Sequence, residues 1–377
     1  MKIVCDDKIP FLRGALEPFA EVVYMPGAKT RPEDVRDADA LVTRTRTKCD
    51  ASLLEGSRVR AIATATIGFD HIDTQWCESN GIAWSNAPGC NSWSVKQYIS
   101  SVLCVLAQKH NLDLETLTLG VVGVGNVGSK VAAVGEALGM RVLLCDPPRA
   151  RREGPEAFVS LDEIIRASDI VTVHVPLTRE GEDATWHLFD GERLGTMSPG
   201  QILINSSRGP VVDNKALKAS LKAGALKGAV LDVWEGEPDL DAELVSLLDV
   251  STPHIAGYSA DGKANGTTMS VRYLAAQLGL PLADWRASGV PAPAQALEFT
   301  LDASGKTAQE VLSEAILYTY DVRRDSDALR SDLGAFERLR GDYAVRREPS
   351  AFTLTLVGGT QELQCRLEMI GFKVLTI

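Results

Sequence analysis

The chain has 377 residues, of which 45% are hydrophobic, and 39 basic against 50 acidic side chains leave a net charge of −11. This composition can fill the cores of two or three domains and argues against extensive disorder. The acidic balance and the lack of a long basic run argue against a nucleic-acid partner, because neutralising phosphates needs clustered positive charge. No stretch approaches about 18 uninterrupted apolar residues, and charged residues at positions 6–8 interrupt the N-terminus. We therefore expect no membrane partner, no signal peptide and a cytoplasmic protein.

Seven cysteines are scattered along the chain, at positions 5, 49, 77, 90, 104, 145 and 365. None forms a Cys-x-x-Cys pair, and no histidine stands at zinc-site spacing from them. We therefore expect free thiols in a reducing compartment and no metal site.

Short β-branched runs alternate with amphipathic stretches from the start of the chain, which is typical of a parallel sheet flanked by helices. The predicted strands are Ile3–Cys5, Val22–Met25, Ala40–Thr43, Ala61–Thr64 and Ile82–Trp84. Helical spacing of Val95, Ile99 and Val102 predicts a long helix over 91–109. A second alternating series predicts another α/β domain with strands at Leu117–Val122, Val142–Cys145, Ile170–Val175, Ile202–Asn205 and Ala229–Leu231.

A helix predicted over 266–278 leads into a linker that Pro281, Pro291 and Pro293 mark. Beyond the linker the pattern predicts strands at Glu298–Leu301, Phe352–Val357 and Lys373–Ile377, with helices at Thr307–Tyr320 and Gln361–Ile370. This small α+β domain contains none of the motifs below, so assembly or regulation is its most economical role. Its arginine pairs at 323/324 and 346/347 could also reach a substrate.

The sequence Gly123-Val-Gly125-Asn-Val-Gly128 follows a predicted strand and opens a predicted helix. In that context Gly123 allows a tight turn, Gly125 lets the backbone approach a pyrophosphate, and Gly128 lets helix and strand pack closely. The phosphates of a dinucleotide would lie at the N-terminus of the helix. The alternative is a cluster of glycines that serves helix packing alone.

Asp146 closes the next predicted strand, 18 residues after Gly128. A carboxylate at this place can accept hydrogen bonds from the adenosine ribose hydroxyls, which favours NAD over NADP. Three nearby arginines favour NADP instead, because an arginine at this place can accommodate the 2′-phosphate; they are Arg149, Arg151 and Arg152. The Asp146 carboxylate would repel such a phosphate.

Arg208, Glu237 and His254 each follow a predicted strand or close the second domain. Ligands of open α/β sheets bind outside the carboxyl ends of the strands. There the planar guanidinium of Arg208 suits a carboxylate or 2-oxo acid. A carboxylate hydrogen-bonded to His254 would favour the imidazolium and fix the tautomer. Together these residues supply an anion clamp, an orienting carboxylate and an acid–base group, as the oxidation of a secondary alcohol by hydride transfer requires.

These motifs resemble the D-2-hydroxyacid dehydrogenase family in the segments Asn205-Ser-Ser-Arg-Gly-Pro-Val-Val-Asp213, Leu231-Asp-Val-Trp-Glu-Gly-Glu-Pro238 and His254. The resemblance covers the chain to about residue 280. It implies an α/β fold with two doubly wound parallel-sheet domains, a split flavodoxin-like substrate domain (1–93 and 257–283) and a Rossmann NAD domain (94–256). It further implies a C-terminal dimerisation domain (284–377), hence a homodimer.

Further segments narrow the resemblance to family members that oxidise C2 of 4-phospho-D-erythronate in pyridoxal 5′-phosphate (vitamin B6) biosynthesis: Asn86-Ala-Pro-Gly-Cys-Asn91, Cys145-Asp-Pro-Pro-Arg149, His254-Ile-Ala-Gly-Tyr258 and Tyr320-Asp-Val-Arg-Arg-Asp325. The resemblance implies Arg208 and Glu237 as active-site residues and His254 as the proton donor and acceptor. It implies substrate contacts by Thr45, Thr66 and Tyr258. The expected cofactor contacts, from the glycine-rich turn and from the resemblance, are Gly123, Gly125, Asn126, Val127, Gly128, Asp146, Val175, Ser206, Ser207, Asp232 and Gly257.

A basic cluster independently favours a phosphorylated substrate, because Arg44, Arg46 and Lys48 follow the strand predicted at Ala40–Thr43 in an otherwise acidic chain. The alternative for this cluster is a solvated positive surface. For the whole protein, two alternatives remain open. One is the same chemistry on another acid, such as 3-phosphoglycerate or D-glycerate. The other is a non-enzymatic, NAD-responsive interaction protein.

Overall fold

Every strand pair in the protein is parallel, and the strands form three sheets. The computed structural model describes residues 1–377. The strands are β1 (Lys2–Asp6), β2 (Glu21–Met25), β3 (Ala40–Thr43), β4 (Ala61–Thr64), β5 (Ala83–Ser85), β6 (Thr118–Val122), β7 (Arg141–Cys145), β8 (Ile170–Val173), β9 (Ile202–Asn205), β10 (Gly228–Leu231), β11 (Val250–Ser251), β12 (Glu298–Asp302), β13 (Thr353–Val357) and β14 (Lys373–Thr376).

The α-helices connect these strands on both sides of the sheets. They are α1 (Pro32–Val35), α2 (Ala51–Leu54), α3 (Thr74–Ser79), α4 (Ser92–His110), α5 (Gly128–Ala137), α6 (Pro147–Glu153), α7 (Leu161–Ala167), α8 (Gly191–Thr196), α9 (Asn214–Lys222), α10 (Ala242–Leu247), α11 (Ala260–Leu278), α12 (Ala308–Thr319), α13 (Val322–Ser331), α14 (Phe336–Gly341) and α15 (Gln361–Ile370). None of the helices combines the length and the hydrophobicity that crossing a bilayer requires.

One unit of the chain comprises residues 1–91 and 259–291. Its sheet has the order β2-β1-β3-β4-β5, and every residue of β3 and β4 is buried. Burial on both faces explains why the first three residues of each strand are all apolar rather than alternating with polar ones. Helix α11 returns to this sheet and packs on it through Val271, Leu274 and Leu278.

The other unit comprises residues 92–258 and 292–377. Its larger sheet has the order β11-β10-β9-β8-β6-β7, so the chain runs outward from β6 to β7 and then crosses back to β8 on the other side of β6. The loops after β6 and β8 therefore separate at this point of the sheet, which is where open α/β sheets bind their ligands. All six strands are parallel, so their carboxyl ends lie along one edge.

The C-terminal residues of this second unit form a small sheet in the order β12-β13-β14. Leu354 and Leu356 of β13, and Phe372 just before β14, belong to the same hydrophobic core as residues of α4, α5, α12 and α15. The C-terminal segment thus shares a core with the preceding Rossmann sheet and its helices. The division into domains at 1–93 with 257–283, 94–256 and 284–377 stays a prediction.

The predicted fold class is confirmed, and the strands predicted at Ala40–Thr43, Ala61–Thr64 and Ile202–Asn205 have those bounds in the structure. Helix α11 begins earlier than predicted, because the Ser259 hydroxyl caps it by accepting a hydrogen bond from the backbone N–H of Gly262. The sequence did not predict β11, which has only two residues, or the strongly charged helix α13.

Candidate active site

The three predicted catalytic residues follow three strands that are neighbours in the large sheet. Arg208 follows β9, Glu237 follows β10 and His254 follows β11. Because these strands are parallel, their loops leave the same edge of the sheet.

The loop that carries Arg208 is organised by the side chain of Asn205. The Asn205 amide donates to the carbonyl oxygen of Arg208 (2.9 Å) and accepts from the backbone N–H and hydroxyl of Ser207 (3.0 and 2.8 Å). Arg208 is half-buried, and its Nη1 donates to the carbonyl oxygen of Ser207 (2.8 Å). A β-carbon at Gly209 would overlap the carbonyl oxygen of Trp234, so only glycine lets this loop pack on the loop after β10.

Glu237 and His254 form a hydrogen-bonded pair. His254 Nδ1 lies 2.8 Å from Glu237 Oε2, and the other carboxylate oxygen accepts a hydrogen bond from the backbone N–H of Trp234 (2.9 Å). Burial favours a neutral Glu237, but the hydrogen bond and charge of His254 outweigh burial and hold the pKa of Glu237 below its usual value. The ionised carboxylate can only accept, so Nδ1 carries a proton and Nε2 is the atom left to exchange one with a substrate.

The backbone at His254 is in the left-handed region, with φ of 56°. Residues with a β-carbon rarely adopt this conformation, so the surrounding structure must hold it. Its own N–H donates to the carbonyl oxygens of Asp232 (2.7 Å) and Thr252 (3.0 Å). The conformation at His254 thus depends on the loops after β10 and β11.

Asp232 is buried, at 1% exposure, and its carboxylate holds the segment that follows His254. It accepts hydrogen bonds from the Thr252 hydroxyl (2.6 Å) and from the backbone N–H groups of Ile255 (2.8 Å) and Ala256 (2.9 Å). Burial raises the pKa of Asp232 above its usual value, although these donors and the charge of His254 oppose the effect. A direct contact of Asp232 with a cofactor stays a prediction.

The glycine-rich turn fits the binding of a dinucleotide. Gly123 has φ of 85°, and a β-carbon there would lie 2.7 Å from the carbonyl oxygen of His174; at Gly128 it would overlap the carbonyl oxygen of Gly123. Gly125, in contrast, has no protein atom within 4 Å of where its β-carbon would be. Two of the glycines therefore serve the fold, whereas the space beside Gly125 is open for a ligand to approach the backbone. Asn126 and Val127 complete the turn, and α5 begins directly after them.

Asp146 follows β7 and faces the glycine-rich turn. Its carboxylate accepts hydrogen bonds from the backbone N–H groups of Val124 (2.8 Å) and Arg149 (3.0 Å). Arg149 in turn donates to the carbonyl oxygen of Val124 (2.7 Å) and pairs with Glu153 (2.6 Å). A carboxylate has further lone pairs, so Asp146 can still accept from ribose hydroxyls.

The neighbouring arginines that could have favoured a 2′-phosphate all have carboxylate partners. Besides the Arg149 pair, Arg151 pairs with Glu182 and Asp183, and Arg152 pairs with Glu153 (2.6 Å). This pairing, together with the Asp146 carboxylate, favours NAD over NADP.

Ser206 supplies the second observation that a cofactor fits. Its hydroxyl oxygen is buried and has no hydrogen-bond partner within the protein, whereas Ser207 uses its hydroxyl on Asn205 (2.8 Å). Buried hydroxyls are usually paired, so a ligand is the expected partner of Ser206.

Val175 follows β8 beside Gly123, with its side chain 2.8 Å from where a Gly123 β-carbon would be. Gly257 directly follows Ala256 in the segment after His254.

The predicted substrate residues of the first unit lie after β3 and β4, which are neighbours in its sheet. Thr45 and Arg46 are exposed, and Arg44 is half-buried with its Nη1 donating to the carbonyl oxygen of Lys8 (3.2 Å). The Thr66 hydroxyl donates to the carbonyl oxygen of Gly68 (2.9 Å). Lys48, in the same loop, pairs with Asp50 (2.7 Å). The structure thus places Arg44, Thr45, Arg46 and Thr66 in adjacent loops.

Residues near the C-terminus reach the segment of His254. Of these residues, the sequence pointed only to Arg346, as one of the arginines that could reach a substrate. Arg340 lies 3.4 Å from the Tyr258 hydroxyl and helps to lower the pKa of Glu237. The ring of Tyr343 packs edge-on against Tyr258, with centroids 5.9 Å apart. Arg346 binds the backbone carbonyl oxygens of the two residues after His254. The only sequence signal for these residues was the concentration of arginines beyond position 320.

Comparisons with known proteins agree with this geometry. Residues 100–256 match the family model described as D-isomer specific 2-hydroxyacid dehydrogenase, NAD binding domain. Residues 293–371 match a second model, described as Domain of unknown function (DUF3410).

Curated relatives match almost the whole chain. The erythronate-4-phosphate dehydrogenase of Bacteroides fragilis is 51% identical over 357 residues, which is 94% of this chain and 99% of the relative. The enzyme of the same name from Proteus mirabilis is 43% identical and covers 99% of both chains.

Among solved structures, D-lactate dehydrogenase from Aquifex aeolicus, complexed with NAD and lactic acid, is 28% identical with a TM-score of 0.62; the match covers 78% of this chain and 100% of that one. The family model, the near full-length relatives and the site geometry agree. The chain therefore belongs to the erythronate-4-phosphate dehydrogenases of the D-2-hydroxyacid dehydrogenase family.

Proposed function

We propose that this NAD-dependent dehydrogenase oxidises the C2 hydroxyl of 4-phospho-D-erythronate to (R)-3-hydroxy-2-oxo-4-phosphooxybutanoate in pyridoxal 5′-phosphate biosynthesis. The names of the relatives support the substrate. The observation that best supports the reaction is the hydrogen bond between His254 and Glu237 (2.8 Å). These two residues follow β11 and β10, and Arg208 follows the neighbouring strand β9.

In the proposed reaction, Nε2 of His254 takes the proton of the C2 hydroxyl, and the Glu237 carboxylate stabilises the imidazolium that forms. The chemistry that NAD⁺ supplies when bound is the acceptance of a hydride from C2. The guanidinium of Arg208 binds the substrate carboxylate and keeps C2 oriented. In the reverse direction the same imidazolium returns its proton to the 2-oxo group.

The remaining assignments follow from the residues described above. We assign the substrate phosphate to Arg44 and Arg46, and further substrate contacts to Thr45, Thr66 and Tyr258. We assign the pyrophosphate to the glycine-rich turn and the adenosine ribose to Asp146. The other proposed cofactor residues are Val175, Ser206, Ser207, Asp232 and Gly257.

A direct assay tests the substrate. Purified enzyme is supplied with NAD⁺ and, in separate reactions, with 4-phospho-D-erythronate, D-erythronate, 3-phosphoglycerate and D-glycerate, and NADH formation is followed by its absorbance. We expect kcat/KM for 4-phospho-D-erythronate to exceed that for D-erythronate by about 100-fold or more, because a buried or clamped phosphate adds charge-assisted hydrogen bonds. Equal or better turnover of an unphosphorylated acid contradicts the assignment.

We also propose a cytoplasmic homodimer that assembles through the C-terminal segment. The outer face of its small sheet is open and carries exposed side chains such as Thr300 and Leu375, which is 57% exposed. Light scattering at micromolar concentration checks the assembly: we expect the mass of two chains, and the mass of one chain contradicts the proposal.

A further inference from the structure

The segment that follows His254 is held from two sides by opposite charges. The Asp232 carboxylate accepts from the N–H groups of Ile255 and Ala256, as described above. On the other side, Arg346 Nη2 donates to the carbonyl oxygens of Ile255 (3.2 Å) and Ala256 (2.7 Å). Every backbone hydrogen-bonding group of these two residues therefore has a charged partner.

Arg346 is itself buried, at 5% exposure, and is held in a pocket of aromatic side chains. Its guanidinium carbon lies 4.4 Å from the ring centre of Tyr320 and 5.7 Å from that of Tyr343. The hydroxyls of both tyrosines donate hydrogen bonds to the same carboxylate oxygen of Asp325, each at a distance of 2.7 Å. Two tyrosines of the C-terminal segment thus pack against the guanidinium while it binds the carbonyl oxygens of Ile255 and Ala256.

Burying a guanidinium costs free energy, because its charge must be removed from water. An apolar side chain of similar size would have no such desolvation penalty. The Nε atom of Arg346 is also buried without a partner, which adds to this cost. What the guanidinium offers and an apolar side chain does not is a pair of hydrogen bonds to the carbonyl oxygens of Ile255 and Ala256. Its position therefore indicates that fixing this segment is its role.

We propose that Arg346 is a positioning residue for the dehydrogenation, which holds the His254 imidazole in line with Glu237 through the backbone of Ile255 and Ala256. The inference rests on the proposed acid–base role of His254. It does not depend on which hydroxy acid is the substrate.

The left-handed backbone of His254 explains why such support is needed. Without the bonds from Arg346, the segment can relax toward an ordinary conformation and move the imidazole away from Glu237. A displacement of about 1 Å in a catalytic group can cost roughly 100-fold in rate. The charged groups around the imidazole are Glu237, Asp232 and, beside Glu237, Arg340. Because the charge of Arg346 acts on Asp232, Arg346→Lys is the variant that keeps a positive charge at this place.

Arg330 provides a matched control. It also comes from the C-terminal segment and also binds a backbone carbonyl oxygen, that of Leu248 (2.8 Å), but this carbonyl precedes β11, whereas His254 follows that strand. Arg330→Lys and Arg330→Met therefore report the cost of losing an arginine–carbonyl bond in this region. Arg346→Lys and Arg346→Met report the same cost together with any effect on His254.

The experiment measures kcat, KM for NAD⁺ and for substrate, the pH profile of kcat and the thermal unfolding temperature of all four variants in the full chain. We expect Arg346→Met to lower kcat by about 10- to 100-fold with KM for NAD⁺ within about twofold, and to shift the limb of the pH profile that reports the acid–base pair. We expect the Arg330 variants to lower the unfolding temperature and to leave kcat and its pH profile unchanged. A wild-type pH profile and kcat in Arg346→Met overturn the proposal, as does an equal loss of kcat in Arg330→Met.

Arg346→Lys keeps the charge and guards against a failure of Arg346→Met to fold. In Arg346→Lys we expect faster hydrogen exchange at the amides of Ile255 and Ala256 than in Arg330→Lys, and unchanged exchange there contradicts the proposal. If the wild-type enzyme prefers another 2-hydroxy acid, the same comparison is made with that acid. Failure of the proposed substrate is thereby distinguished from failure of the positioning role.

Discussion

Glu237 holds His254 through one carboxylate oxygen while its other oxygen is fixed by the backbone N–H of Trp234. The carboxylate therefore cannot turn away from the imidazole without losing a second hydrogen bond. Because Trp234 also packs against Gly209, the orientation of His254 is linked to the loop of Arg208. The residues proposed for acid–base chemistry and for anion binding are thus held by connected loops.

Glu237→Gln removes the charge and keeps the shape. We expect kcat to fall by about 10- to 100-fold, because the amide stabilises the imidazolium less than the carboxylate does. The pKa of Glu237 is lowered in the folded protein, so its contribution to stability is present above the ordinary glutamate pKa and is lost as the pH falls through the lowered value. Acid unfolding followed by circular dichroism should accordingly be less steep in Glu237→Gln than in the wild type, and identical acid transitions would contradict the ion pair.

His254→Asn tests the acid–base role while limiting damage to the backbone, because asparagine tolerates a positive φ better than most residues. We expect kcat to fall by about 10²- to 10⁴-fold, with NAD⁺ affinity, measured by fluorescence titration, within about threefold. His254→Ala serves as the comparison and should lose more thermal stability. Turnover close to wild type in a folded His254→Asn variant would remove the assignment.

The two glycines Gly125 and Gly128 are expected to respond differently to alanine. Gly128→Ala forces a β-carbon onto the carbonyl oxygen of Gly123, so we expect a loss of about 1–3 kcal/mol or more in unfolding free energy. Gly125→Ala meets open space, so its unfolding temperature should be unchanged while KM for NAD⁺ rises by about 10-fold, as close approach of the pyrophosphate is lost. Differential scanning calorimetry and steady-state kinetics separate the two effects. Equal effects of both substitutions on stability would argue against a ligand beside Gly125.

Replacing Arg44 and Arg46 by alanine tests the phosphate site. We expect KM for 4-phospho-D-erythronate to rise by about 10- to 100-fold, with a much smaller change for unphosphorylated D-erythronate. Lys48→Ala is the control from the same loop, because it removes one positive charge from a residue that the proposal does not assign to the phosphate. The assignment fails if the double variant affects both acids equally, or if Lys48→Ala has the same effect.

Much of the fold could be predicted because its strands are buried on both faces. Strands β3, β4 and β9 each consist of three apolar residues followed by a buried polar one, between polar loops, so even their ends were predictable. Strand β11 is too short to produce a periodic pattern, and α13 has few apolar residues among its charged ones. The glycine-rich turn and the loop of Arg208 were predictable because local backbone requirements determine their residue types.

The contact of Arg346 with the His254 segment could not be predicted in the same way. It depends on the packing of the C-terminal residues against the Rossmann sheet, and no local pattern in the sequence encodes which backbone carbonyl a buried arginine will bind. The sequence did show that Arg346 lies among several other arginines. It could not show that this particular side chain is buried between Tyr320 and Tyr343.

The apolar core that α4 and α5 share with α12 and α15 limits how the enzyme can be shortened. Truncating the chain before residue 293 would expose the apolar side chains of α4 and α5 that α12 and α15 bury. A large apolar surface in contact with water promotes aggregation. Engineers who want a smaller catalyst should therefore trim exposed loops and retain the C-terminal residues, even though a separate family model describes them.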